Sequence, residues 1–186
     1  MKTLLACLPL ALMPLLAWAR DDGDEARKAA AGWVEAGYTL PSPPDERHLL
    51  AFRVGAHPVG RFLLDPESLT VGEDGVIRYT LVMRGSGGAS TTTFEGVRCG
   101  TRERRLYANL ERDGGWRPFK KSAWQPLPVA GSSIAMFAYS GNDPRATLAY
   151  GYLCDGSAPR RAREDIIGRL RGKRVDYLDP YHGVEP

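Results

Sequence analysis

Two cysteines lying downstream of an export signal constrain this chain more than any other feature. The first twenty residues have the layout of a secretory leader. Lys2 gives a positive start, Leu4 to Leu16 is almost wholly apolar, and Ala17-Trp18-Ala19 offers the small residues a signal peptidase inspects, ahead of Arg20-Asp21-Asp22. The apolar run is short for a permanent membrane span and is interrupted by Pro9 and Pro14. Cleavage after Ala19 is therefore the expected processing, with an uncleaved anchor as the alternative. Leu5-Ala6-Cys7 is no lipoprotein signal, because its cysteine precedes most of the apolar run. Three cysteines are encoded, and Cys7 leaves with the leader. Cys99 and Cys154 remain, in an oxidising compartment where an even pair usually bonds. Closing a loop of 55 residues stabilises a fold, by roughly 4 kcal/mol in the chain-entropy picture. Two free buried thiols are the other reading. A metal site fits poorly: no third and fourth ligand stand at metal spacing, and the histidines are His48, His57 and His182.

Removing 19 of the 186 residues leaves 167, enough for one domain with a real core. The chain carries 25 basic and 22 acidic residues, and losing Lys2 leaves a formal charge of only +2. That excess is too small for a dedicated nucleic-acid binder, which needs a concentrated basic surface. No other long apolar segment occurs, so no transmembrane segment is expected after cleavage.

Local patterning divides the mature chain. Ala26, Ala29, Ala30, Trp33 and Val34 have helical spacing, so a short helix is expected before the extended cluster Pro41-Ser42-Pro43-Pro44. Leu49 to Leu110 reads as strands. Arg61 to Asp65 and Ser68 to Val71 look like two short runs separated by a turn at Asp65-Pro66-Glu67, and Gly72-Glu73-Asp74-Gly75 is a hairpin connection. In the next strand Ile77, Tyr79, Leu81 and Met83 face one way, and Arg78 and Thr80 the other. Gly85 to Gly88 makes a further turn. From Arg104 to Leu110, alternation puts Leu106, Ala108 and Leu110 inward, with Arg105, Tyr107 and Asn109 outward. Beyond Pro128 the pattern turns helical. Asp143-Pro144 is a helix start, with Leu148, Ala149, Tyr152 and Leu153 on one face and Cys154 at the helix end. Ser157 is the expected cap of a last helix running to about Arg171. The predicted fold is α+β: a strand-rich antiparallel sheet with C-terminal helices, tied by one disulfide. The expected layout is a signal peptide over 1–19, an arm over 20–44, a single domain over 45–175 and an irregular tail over 176–186.

The run from Leu64 to Leu81, reading LDPESLTVGEDGVIRYTL, resembles the motif of the CNP-one-like family, named for a cryptic neisserial protein. So do Phe94-Glu95-Gly96-Val97-Arg98-Cys99, Gly114-Gly115-Trp116, Trp124 and Leu153-Cys154-Asp155-Gly156. Order and spacing agree over roughly Trp33 to Arg171. The resemblance implies an exported, mainly proteobacterial envelope protein, and its cysteine pair corresponds to Cys99 and Cys154. It brings no catalytic residue and no cofactor. Val129 to Asn142 is longer than the family pattern suggests, which leaves the layout before Asp143 open.

No catalytic constellation stands out. The three histidines form no triad with a serine, and nothing matches Gly-x-Ser-x-Gly. Glu73 and Asp74 lie in a turn, and Glu164 and Asp165 near a helix start, where backbone reasons suffice for both pairs. Asp179 and His182 are too few for a metal. Gly85 to Gly88 lacks the Lys-Ser/Thr of a phosphate loop. The candidate binding surface is basic and aromatic: Trp116, Arg117, Lys120, Lys121 and Trp124, with Arg160, Arg161 and Arg163 near the last helix. A solvated helix face and core tryptophans would explain the same residues. The expected function is a non-catalytic binding or scaffolding domain of the periplasm, whose partner is an envelope component or protein. A small envelope hydrolase and a peripheral outer-membrane protein are the alternatives, the latter using the same basic surface.

Overall fold

A computed structural model describes residues 32–55, 60–128 and 143–172. The expected leader, Val129 to Asn142, His57 and the expected tail with Asp179 and His182 lie outside the described residues.

Seven strands form an antiparallel meander: β1 (Leu50–Phe52), β2 (Gly60–Val71), β3 (Val76–Gly85), β4 (Ser90–Arg98), β5 (Glu103–Leu110), β6 (Trp116–Pro118) and β7 (Gln125–Pro126). Spatial order follows chain order from β1 to β6, and β7 also pairs with β5. From β2 to β6 tight connections explain this: sequential strands joined by four- or five-residue turns pair with their neighbours. Gly75 and Gly88 supply the left-handed backbone that the β2–β3 and β3–β4 turns need. Helix α1 (Pro144–Leu148) continues into a π-helical turn, Ala149–Leu153. A small hairpin, β8 (Cys154–Asp155) with β9 (Ala158–Pro159), leads to α2 (Arg163–Leu170). The α+β architecture is therefore as the sequence reads.

One face of the sheet carries the main core. Ile77, Tyr79 and Leu81 of β3 and Leu64 of β2 are fully buried with Leu148 and Leu153 of the α1 segment and Ile166 of α2. Asp143 caps α1 through its side chain, accepting from the Arg145 and Ala146 amides, with Pro144 in the first turn. The disulfide Cys99–Cys154 lies in this core, its Cα atoms 5.6 Å apart. It joins the residue just after β4 to the first residue of β8, immediately beyond the helical turn.

Four local expectations give way. Asp65-Pro66-Glu67 is no turn between two strands but a bulge within the single strand β2, where the register shifts between Asp65 and Thr70. Side chains replace the lost ladder bonds. The Asp65 carboxylate accepts from the Glu67 amide at 3.0 Å, and the Ser68 hydroxyl accepts from the Thr80 amide at 2.8 Å. Ser157 does not cap the last helix. It sits in the β8–β9 hairpin, where Gly156 adopts a positive φ, and α2 begins after Ala162. Tyr107 is not exposed: Tyr107 and Ala108 are both buried, beside a register shift between Phe94 and Glu95, while Leu106 and Leu110 are only half-buried. The expected N-terminal helix falls mainly outside the described residues. From Trp33 onward the chain is extended, with Trp33 and Glu35 turned towards the sheet and Val34 exposed.

That extended arm is what buries Tyr107. Residues 33–41 lie over the sheet face opposite the helices, so Arg78, Phe94 and Tyr107 are buried there. Both faces of the sheet are covered, one by helices and one by an arm.

Candidate binding surface

The sequence-derived residues separate into three environments. Trp116 and Trp124 hold the arm. The Trp116 indole donates to the Pro41 carbonyl at 2.7 Å and packs beside Phe94. Trp124 meets Trp33 edge-on, with ring centroids 5.8 Å apart, and donates to the Glu35 carboxylate at 3.3 Å. Arg98 lies 3.6 Å over the Trp33 ring, completing an aromatic–cation stack. Arg117, Lys120 and Lys121 instead lie with Phe119 in and just after the edge strand β6, and all four are exposed. Only Arg117 among these has an ion-pair partner among the described residues, Glu111 at 2.6 Å.

The third group surrounds α2. The Arg160 guanidinium is largely buried between Asp155 and Asp165. Arg163 donates to the Pro66 carbonyl at 2.7 Å, using the bulge of β2 as its acceptor. Arg161 is exposed. Trp116 and Trp124 serve the arm face and Arg160 and Arg163 the helix side, so the structure does not bring these side chains into one patch.

Sequence reasoning missed the densest polar cluster on the arm face. Glu35 brings its carboxylate down onto the sheet. One oxygen accepts from the Tyr107 hydroxyl at 2.5 Å and from Arg78 at 3.3 Å; the other accepts from Arg105 and the Trp124 indole. Asp74, in the β2–β3 turn, accepts from the Ala36 amide at 2.9 Å and from Arg78 at 2.7 Å, and its carbonyl accepts from the Trp33 indole. Burial raises the Asp74 carboxyl, but hydrogen bonds from Arg78, Ala36 and Val76 outweigh it and hold the group below the usual carboxylate range. Burial, and then the bond to Glu35, push the Tyr107 phenol far up. Arg78 was a visible clue: a charged residue in the centre of the most regular strand needs partners if both faces are covered.

A second buried pair ties sheet to helix. Glu95 of β4 is fully buried and accepts three hydrogen bonds from Arg145 of α1, at 2.8–3.0 Å. Thr93 donates to the same carboxylate at 2.5 Å. Tyr79 stands opposite Glu95 in the ladder, and burial followed by the Glu95 charge lifts its phenol well above the ordinary value. Every strong charge in these clusters is neutralised by a neighbour, which suits holding elements together.

Among the described residues no group of three or more histidine, cysteine or acidic side chains could hold a metal ion. No described helix is long and apolar enough to cross a membrane. Neither the curated proteins nor the solved structures contain a match to the chain. A family model does match, over residues 28–171, which takes in the arm, the sheet, both cysteines and α2. The chain belongs to the CNP1-like family.

Proposed function

We propose that this chain is an exported cell-envelope protein whose mature part is a non-catalytic binding domain for an anionic envelope component. Export is supported by the leader-like first nineteen residues and by the buried Cys99–Cys154 disulfide, a bond that persists in oxidising compartments. The mature chain starts at Arg20, with an arm over 20–44, the domain over 45–175 and a tail over 176–186, and it resides in the periplasm.

The observation that carries the binding reading is the exposed edge formed by Arg117, Phe119, Lys120 and Lys121. Three exposed cations within a few residues of an exposed ring combine charge attraction with apolar contact, the combination that holds a protein against phosphate-bearing or otherwise anionic surfaces. Trp116 and Trp124 support this edge by fixing it to the arm, and Arg161 adds an exposed cation elsewhere. Arg160 and Arg163 contribute mainly by anchoring α2.

Charge reversal tests the reading. With Arg117→Glu, Lys120→Glu and Lys121→Glu combined, the protein is expected to leave the envelope pellet at low salt, whereas the unaltered protein leaves only at high salt. Unchanged co-fractionation of the triple variant would overturn the assignment.

A further inference from the structure

The arm is attached to the sheet as a ligand is attached to a receptor. It adds no strand to the ladder, and among the described residues a single arm amide, that of Ala36, donates to the body. Its hold comes mainly from side chains entering places on the sheet, with the Ala36 and Pro41 carbonyls accepting from the Arg78 and Trp116 side chains. Trp33 enters the Arg98–Trp124 stack, the Glu35 carboxylate meets converging donors, and Tyr38 lies on Tyr107 with ring centroids 4.2 Å apart. Those donors come from two strands and a loop: Arg78 on β3, Arg105 and Tyr107 on β5, and Trp124 before β7. Together they recognise an extended segment carrying an aromatic residue two positions before a glutamate, the side chains that share one face of an extended chain.

The arm continues into Pro41-Ser42-Pro43-Pro44, where three residues lack an amide hydrogen and the ring locks the backbone extended. Such a stretch can leave the body without breaking a backbone ladder. The sequence known to fit the site is presented by every other copy of the chain, and exchange would recreate the same contacts across two molecules. Attachment in the same chain gives the resident arm a high effective concentration, so exchange is favoured where copies are crowded.

We propose that the sheet face under residues 33–41 is a peptide-binding site that accepts the arm of a second copy, linking copies by arm exchange. Its contacts use none of Arg117, Phe119, Lys120 and Lys121, although Trp116 and Trp124 join that edge to the arm.

Complementation tests it with purified full-length protein. A Glu35→Arg variant keeps the receptor and spoils the arm; an Arg105→Glu variant keeps the arm and spoils the receptor. At a concentration where each sediments alone as a monomer, an equimolar mixture is expected to rise in weight-average mass towards twice the single-chain value. A milder pair, Glu35→Gln with Arg105→Met, serves if charge reversal prevents folding. Circular dichroism and an intact disulfide report that each variant is folded. A mixture of folded variants that stays at the single-chain mass overturns the proposal.

Discussion

Gly96 marks the place where the arm face tolerates least change. A methyl group there would stand 2.8 Å from Cε2 of the Tyr107 ring, which lies directly across the glycine. Because Tyr107 is also held by Glu35 and stacked on Tyr38, it has little room to withdraw. Gly96→Ala is expected to destabilise the fold by about 1–3 kcal/mol, read as a lower urea midpoint with an unchanged slope. Asp74 gives a pH signature. Its folded-state pKa is depressed, so its contribution is full above the unfolded value and is lost as pH falls through the folded one. Stability should therefore drop below about pH 4, and Asp74→Asn should flatten that part of the curve in denaturation measured from pH 7 to pH 3. The family motif picks out Gly96 and Asp74 as letters in a pattern. Their roles depend on an arm some forty and more residues away in sequence, which alternation of apolar residues does not report.

Elements were legible where one pattern dominated. Strand β3 alternates from Ile77 to Leu81, and Asp143-Pro144 starts a helix through local capping alone, so both could be read from neighbouring residues. Strand β2 was not, because Asp65-Pro66-Glu67-Ser68 carries turn chemistry that serves a bulge instead, with Ser68 standing in for a backbone acceptor. The arm was hidden for another reason. Trp33 and Val34 fit a helical stripe, yet the rings and carboxylate they flank find partners only on the folded sheet. Helix α1 is joined to β4 by Glu95 and Arg145, two residues whose pairing no spacing rule suggests. Removing one partner leaves a buried charge, so Arg145→Met is expected to cost about 3–5 kcal/mol. Replacing both, with Glu95→Leu and Arg145→Met, should cost less than the single change. A double-mutant cycle by denaturant titration measures the difference.

For the whole molecule the disulfide closes the core between sheet and helices. Opening it should lower stability by roughly 4 kcal/mol on the loop-closure estimate, visible as a lower melting temperature for Cys99→Ser with Cys154→Ser. The pairing itself was legible, since only Cys99 and Cys154 lie beyond the proposed leader and the family resemblance covers both. The candidate binding edge was legible as composition but not as geometry: Trp116 and Trp124 belong to the arm contacts, while Arg117, Lys120 and Lys121 face outward with Phe119. The proposed export and the disulfide together make a single combined demand on the protein recovered from cells. Intact-mass measurement after alkylation under non-reducing conditions should give a chain beginning at Arg20, with Cys99 and Cys154 unlabelled and bonded to each other. A chain still beginning at Met1, or one with both thiols alkylated, would contradict it.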